Sequence, residues 1–321
     1  MGAYGLQTHI WNNNLKSLLL LAGFPVLLLV LMYGLNVGYV AVVDDFSDVG
    51  EGLRLAFDNM SRTWPFAFLG AAVWFAIAWM AHQALINLST GAKPITRQEA
   101  PDLYNMLENL CISRGIAMPK LQIIDSPALN AFASGLSEKN YAITLTRGII
   151  EALDERELEA VMAHELTHIR NRDVRLLIIA VIFVGIFSFF GEMVFRNMFR
   201  MGVRIGGHTQ SRKGDSRGGG VLILIALALI ALAYILAMVI RFSLSQKREY
   251  LADAGAVDLT KNPDGMISAL KKISGLSAID APGEVRQMML DNTAEFSGLF
   301  ATHPSIEKRI AALEAYAGGQ S

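Results

Sequence analysis

The sequence predicts an α-helical membrane protein with about four transmembrane helices and an attached α+β domain, and three observations predict it. Charged residues make up only 18% of the chain and hydrophobic residues 53%, whereas soluble domains carry about a quarter charged. The apolar surplus is gathered into four long stretches. The polar remainder alternates between helical and strand-like periodicities. A net charge of -1 sets up no global field for a polyanion, so nucleic acid is excluded as a partner.

The apolar stretches run from Leu15 to Val43, Trp64 to Leu88, Val174 to Phe195 and Val221 to Phe242. A spanning helix needs about 20 mostly apolar residues, and each stretch supplies them. Val221 to Ile240 holds no charge, and the third stretch is uncharged from Leu176 to Gly191 before it meets Glu192. The first has only Lys16 on its flank and no small-x-small site before Asp44, so it reads as a span rather than a cleaved leader. The chain then divides into a two-span membrane region (1–88), a polar region (89–173), a spanning hairpin with a basic Gly-rich loop (174–242) and a C-terminal polar region (243–321).

The charge pattern orients these pieces. The 44–62 loop carries Asp44, Asp45, Asp48, Glu51 and Asp58 against Arg54 and Arg62, whereas Lys93, Arg97, Arg170, Arg172 and Arg175 flank the 89–173 region. Lys and Arg mark the cytoplasmic side, which puts 44–62 outside and 89–173 in the cytoplasm. The loop bearing Arg196, Arg200, Arg204, Arg212, Lys213 and Arg217 resists this rule. Either packing holds that hairpin against its charge, or spans three and four do not both cross. Between two apolar helices the loop reads as solvated or in contact with headgroups of the bilayer.

In the polar regions, Leu103, Met106, Leu107 and Leu110 set a helix over 101–113. Cys111 lies within it, the single cysteine, read as a buried small residue. Leu121 to Ile124 and Tyr141 to Thr146 read as strands. Helices follow over 154–170, 248–258, 263–273 and from Pro304 onward. Asp154 is a good N-cap for the first of these, and Glu157 three residues on completes a capping-box pattern.

That helix carries the chemistry. His164 and His168 are four residues apart, so both imidazoles leave one face. Two such histidines can hold one zinc ion, and Glu165 beside the first can take a proton from a metal-bound water. This is the H-E-x-x-H pattern, and it makes the α+β domain zincin-type, with a small edge-strand sheet beside the H-E-x-x-H helix. Catalytic zinc usually has three protein ligands, but only Asn171, Arg172 and Asp173 follow closely, so the third ligand comes from farther along. Glu249 is the best candidate, with Asp253 four residues later on the same helical face. One carboxylate can bind the metal while the other accepts a hydrogen bond from a ligand histidine. His168 lies six residues before the third span and Glu249 about seven after the fourth, so an antiparallel hairpin would bring both to one membrane face. The remaining histidines, His9, His82 and His208, are scattered and carry no assigned role.

His164-Glu165-Leu166-Thr167-His168 with Glu249-x-x-x-Asp253 resembles the HtpX family of membrane zinc proteases, relatives of the CAAX prenyl endopeptidases. Asn130-Ala131-Phe132-Ala133 resembles the family's segment beside the substrate cleft. Tyr141 to Gly148 resembles its edge strand before the catalytic helix, and Thr302-His303-Pro304 with Arg309 its C-terminal His-Pro motif. The resemblance implies a zinc endopeptidase of the cell inner membrane that degrades damaged or misfolded membrane proteins from the cytoplasmic face. It implies one zinc per chain on His164, His168 and Glu249, with Glu165 as general base and Asp253 orienting His164. It sets His303 and Arg309 near the developing oxyanion, and Asn130 on the substrate backbone by strand addition. Two rival readings are a processing protease for prenylated substrates, separable by cleavage of a prenylated peptide, and a zinc-bound scaffold without turnover, against which Glu165 stands.

Overall fold

The computed structural model describes residues 6–200, 218–242, 246–274 and 304–318. In chain order these form α1 (Leu6–Val43), α2 (Val49–Thr90), β1 (Lys93–Pro94), α3 (Pro101–Arg114), β2 (Lys120–Ile124), β3 (Ala131–Ser134), β4 (Ala142–Thr146), α4 (Arg147–Ala152), α5 (Glu155–Arg170), α6 (Asp173–Arg200), α7 (Gly219–Phe242), α8 (Gln246–Thr260), α9 (Pro263–Ile273) and α10 (Ile306–Ala317). The chain divides into two compact units. Met1–Ser17, Met80–Ile179 and Phe242–Ser321 form one; Leu18–Trp79 and Ala180–Arg241 form the other.

The second unit is helical. By length and composition α1, α2, α6 and α7 each hold a run able to cross a membrane: Ala22–Val43, Val49–Thr90, Asp173–Met193 and Gly219–Ala237. Leu31, Val184, Phe187, Ile230, Ala233 and Ala237 make one buried cluster; Val37, Val40, Phe46, Ala56, Leu222 and Ala226 make another. Phe24 stacks on Phe183 at 4.3 Å, and Phe75 stacks on the same ring at 5.5 Å. Along α2, Phe66, Leu69, Val73 and Ile77 point outward and stay exposed. In water such a stripe would be a liability; against acyl chains it is the expected surface of a span.

The acidic 44–62 loop is shorter than its charges predict. Only residues 44–48 separate α1 from α2. Two of its acids serve a helix start: Asp48 Oδ1 accepts the Glu51 N–H at 2.9 Å, and Glu51 reaches back to the Ser47 N–H at 2.7 Å. With its N-terminus satisfied in this way, α2 runs for 42 residues, about 60 Å and twice the hydrocarbon thickness. Of the basic loop, Arg204, Arg212, Lys213 and Arg217 lie outside the described residues, as does His208.

The first unit is α+β. Its sheet has the order β1-β2-β4-β3, with β2 and β4 parallel and the outer pairs antiparallel. This corrects one expectation. Tyr141 to Thr146, read as an edge strand, is interior, and all five residues of β4 are buried. The edge is β3, one strand over, formed by the segment that follows Asn130. The hairpin from β3 to β4 turns at Gly135 with φ +110°, where a Cβ would lie 2.4 Å from the Asn140 carbonyl oxygen. Thr146 donates its N–H to the Asn130 carbonyl at 3.0 Å. Alternation along an antiparallel pair then turns the N–H and C=O groups of Ala131 and Ala133 away from β4.

α5 begins as its sequence requires. Asp154 Oδ1 accepts the Glu157 N–H at 3.0 Å and Glu157 accepts the Asp154 N–H at 2.8 Å, the reciprocal capping box. Glu157 also receives Ser268 Oγ and Lys272 Nζ from α9, each at 2.6 Å. Burial pushes its carboxyl up, but these donors outweigh burial and hold it below the ordinary carboxylate range. Cys111 is buried in α3, and burial, then Glu108, pushes its thiol up to about 11, so it stays an unreactive packing residue.

Candidate metal centre

α5 and α8 form the most extensive helix–helix contact of their unit. The crossing is close because Gly255 has no side chain: a Cβ there would lie 2.4 Å from Thr167 Cγ2 and 2.8 Å from its Oγ1. Thr167 cannot swing away freely, because its Oγ1 donates to the Ala163 carbonyl at 2.8 Å and its χ1 is β-branched. Gly255→Ala is therefore expected to cost about 1–3 kcal/mol by overpacking and to lower metal affinity, with Thr167→Ala in the same chain restoring both. Thermal unfolding and metal titration in detergent check this; an unperturbed single variant would refute the packing account.

The crossing sets Glu249 and Asp253 of α8 over the two histidines of α5. His164 Nε2 and His168 Nε2 lie 3.1 Å apart. Glu249 comes within 3.7 Å of the first and 3.6 Å of the second. One donor atom from each of the three residues falls within 4.8 Å of the others, a group able to hold a metal ion. His164 is fully buried and Glu249 is 5% exposed.

Carboxylates hold the far side of each ring. His168 Nδ1 lies 3.1 Å from Asp173 Oδ2, and His164 Nδ1 lies 2.9 Å from Asp253 Oδ1. The second separation is that of a hydrogen bond, yet the ring N–H is off the line to the oxygen, so charge rather than alignment carries the contact. A proton kept on each Nδ1 leaves each Nε2 lone pair for a metal. In the metal-free chain burial would lower the His164 pKa; the Asp253 and Glu249 carboxylates outweigh burial and raise it to about 9. Metal has to displace that proton, so affinity weakens as the pH falls through that value.

Arg309 of α10 is 1% exposed. It donates to Asp253 twice, Nε to Oδ2 at 2.9 Å and Nη2 to Oδ1 at 2.6 Å, and its Nη1 lies 3.8 Å from Glu249 Oε2. Burial pushes the Asp253 carboxyl up, but the Arg309 charge and hydrogen bonds, with His164, outweigh it and hold it below the usual range. The family resemblance implies a place for Arg309 at the oxyanion. The structure puts its guanidinium on the carboxylates that surround the metal ligands, because a buried fork matches a carboxylate geometry. His303 lies outside the described residues.

Glu165 is 2% exposed and accepts the backbone N–H of Ala133 from β3. Burial raises its carboxyl above the ordinary range, opposed by the two histidines and by that N–H. A raised carboxyl suits proton transfer near neutral pH. Asn130 is fully buried, and its Oδ1 accepts the Ala131 N–H at 2.9 Å. It fixes the first residue of the edge strand from inside, rather than standing open at the cleft.

Two partners escaped the sequence reading. Asp173, five residues after His168, had a signal: an acid one turn beyond a candidate ligand. Arg309 to Asp253 had none, because 56 residues separate the two.

An H-E-x-x-H helix crossed by a carboxylate-bearing helix, beside a small sheet and within a chain of four apolar spans, defines a membrane-integrated metalloprotease. The model of peptidase family M48 matches residues 97–317. A protease HtpX homolog of Bacteroides fragilis (strain YCH46) is 44% identical over 325 residues, covering 97% of this chain and 99% of that one. A second, from Listeria innocua serovar 6a, is 37% identical over 320 residues, with 96% and 99% covered. The chain belongs to the HtpX proteases of peptidase family M48. A crystal structure of S. mikatae Ste24p aligns with a TM-score of 0.48 at 18% identity, covering 95% of this chain and 66% of that one.

Proposed function

We propose that this protein is a zinc-dependent endopeptidase of the cell inner membrane, cutting damaged or misfolded membrane proteins from the cytoplasmic face. The observation that carries the reading is the group of His164, His168 and Glu249, the first and last buried and His168 partly so, with Glu165 next to His164 on the same helix. The donor set fits zinc. Ligands on a tetrahedral zinc lie about 3.3 Å from one another, and the two Nε2 atoms are 3.1 Å apart. When bound, the metal would polarise the scissile carbonyl and acidify a water.

The chain's own groups do the rest. Glu165 takes a proton and returns it to the leaving amine. Asp253 and Asp173 keep His164 and His168 in the tautomer that ligates. Arg309 balances the carboxylates of α8. β3 offers the outward carbonyls of Ala131 and Ala133 to an extended substrate backbone, as strand addition requires, and Asn130 holds that edge in register. The basic flanks of the 89–173 region support the cytoplasmic side, and the four spans support membrane-borne substrates.

The test is proteolysis of an unfolded membrane protein by the full chain in detergent. Cleavage should cease with a chelator and return with added zinc. Cleavage that survives complete removal of metal, measured by elemental analysis, would sink the reading.

A further inference from the structure

Away from the metal centre, the first unit contains a cavity of about 680 Å³ that the protease reading does not use. Three separate segments wall it: the turn after β3, the end of α5 with its link to α6, and the turn after α3. Four cations line it, Lys139, Arg170, Arg172 and Arg175, against one acid, Glu138. Among the described residues Lys139, Arg170 and Arg175 form no ion pair. Arg170 has a like charge beside it from outside the lining. Arg170 stands near Arg114, whose own charge is committed to Asp258 at 2.5 Å, and burial followed by Arg114 lowers the Arg170 pKa. The remaining wall includes the polar Ser137 but is mostly apolar or aromatic, with a buried Ile169 and a buried Tyr141.

A helix end that only marks topology needs basic side chains in solvent; here Lys139 and Arg172 are exposed, but Arg170 and Arg175 are partly buried. Here Arg172 holds a left-handed backbone, φ 59°, as a non-glycine residue. Such a conformation is uncommon and costs free energy. It lies in the link that brings the end of α5 and the first turn of α6 to one hollow. Three arginines offer planar forks, the geometry that grips phosphate oxygens.

We propose that this hollow binds one phosphate-bearing anion, the phosphate being that of an acidic lipid headgroup or free phosphate. Arg170, Arg172 and Arg175 grip its oxygens, Lys139 closes over it, and Ile169 and Tyr141 meet the apolar part of the ligand. The site stands next to the metal centre in the chain: Asp173, which holds His168 at 3.1 Å, follows Arg172 directly. An anion seated there braces the turn that carries Asp173.

The test does not pass through cleavage, so it stands or falls apart from the protease reading. The full chain is placed in phosphatidylcholine nanodiscs and labelled with phenylglyoxal, and the rate at each arginine is read by mass spectrometry. Parallel arms contain phosphatidylglycerol, inorganic phosphate, or a polyglutamate peptide. At a probe level ten times its dissociation constant, labelling of Arg170 and Arg175 should slow by about tenfold, while Arg147, exposed and paired with Asp125 outside the hollow, is unchanged. Protection by phosphatidylglycerol alone identifies a lipid headgroup; protection by inorganic phosphate as well identifies the free anion. Lys139→Gln with Arg175→Gln should remove the protection of Arg170, with metal content unchanged as the check on folding. Equal labelling in all arms overturns the proposal, as does equal slowing at Arg147 or protection by polyglutamate alone; the wild-type arms decide this even if the variant fails to fold.

Discussion

Glu165→Gln is expected to lower the rate of peptide hydrolysis by about 10²- to 10⁴-fold, the contribution of a positioned general base, while the metal stays bound. Gln keeps the shape of the side chain, and its amide oxygen still accepts the Ala133 N–H, so β3 and α5 keep their register. It removes the proton acceptor. The ligands His164, His168 and Glu249 are untouched, so metal content should equal that of the wild type. The measurement pairs elemental analysis with cleavage of an unfolded membrane protein. Full cleavage by the variant would show that the proton goes elsewhere. Loss of metal together with activity would make Glu165 a ligand rather than a base.

The second large effect is at Asp253. Asp253→Ala takes from the buried Arg309 charge its two hydrogen bonds to Asp253. Breaking one side of a buried pair costs about 3–5 kcal/mol. The same change releases His164 Nδ1, and loss of such a support lowers metal affinity by about 10- to 100-fold. The two consequences are separable. Arg309→Met in the Asp253→Ala background removes the charge that has lost Asp253 and should recover most of the stability but not the metal affinity. Unfolding in detergent and zinc titration of the wild type, the single variant and the double variant form the test. If the double variant is no more stable than the single, the charge account fails.

Much of this was legible in the residues, for physical reasons. Spans announce themselves because bilayer thickness sets a length and hydrocarbon excludes charge. The α5 helix was legible at both ends of its logic, from the Asp154 and Glu157 cap to the four-residue spacing of the histidines. Glu249 and Asp253 could be picked out because a carboxylate pair at helical spacing after a span is unusual in so uncharged a chain. What failed was tertiary. Tyr141 to Thr146 is strand-like in sequence, but the central place of β4 depends on β3, whose Ala-Phe-Ala-Ser is too short to signal a strand. The 44–62 acids looked like a loop, yet Asp48 and Glu51 start a helix. Arg309 looked available for catalysis, and only the meeting of α10 with α8 shows its guanidinium already held by Asp253.

Under the proposed strand addition, the shortness of β3 bears on the choice of substrate. Its four residues, all buried, turn two carbonyls away from β4, and the matching N–H groups are engaged, one by Asn130 and one by Glu165. Each hydrogen bond to a partner strand adds roughly 0.5–1.5 kcal/mol net, so this edge would grip any polypeptide weakly and read little of its side-chain order. A well-folded chain gains too little here to offset unravelling a segment. One that is already unravelled, and held nearby by its own membrane anchor, forgoes that cost. On the proposed reading discrimination would rest on the physical state of the client, with no need for a recognition sequence.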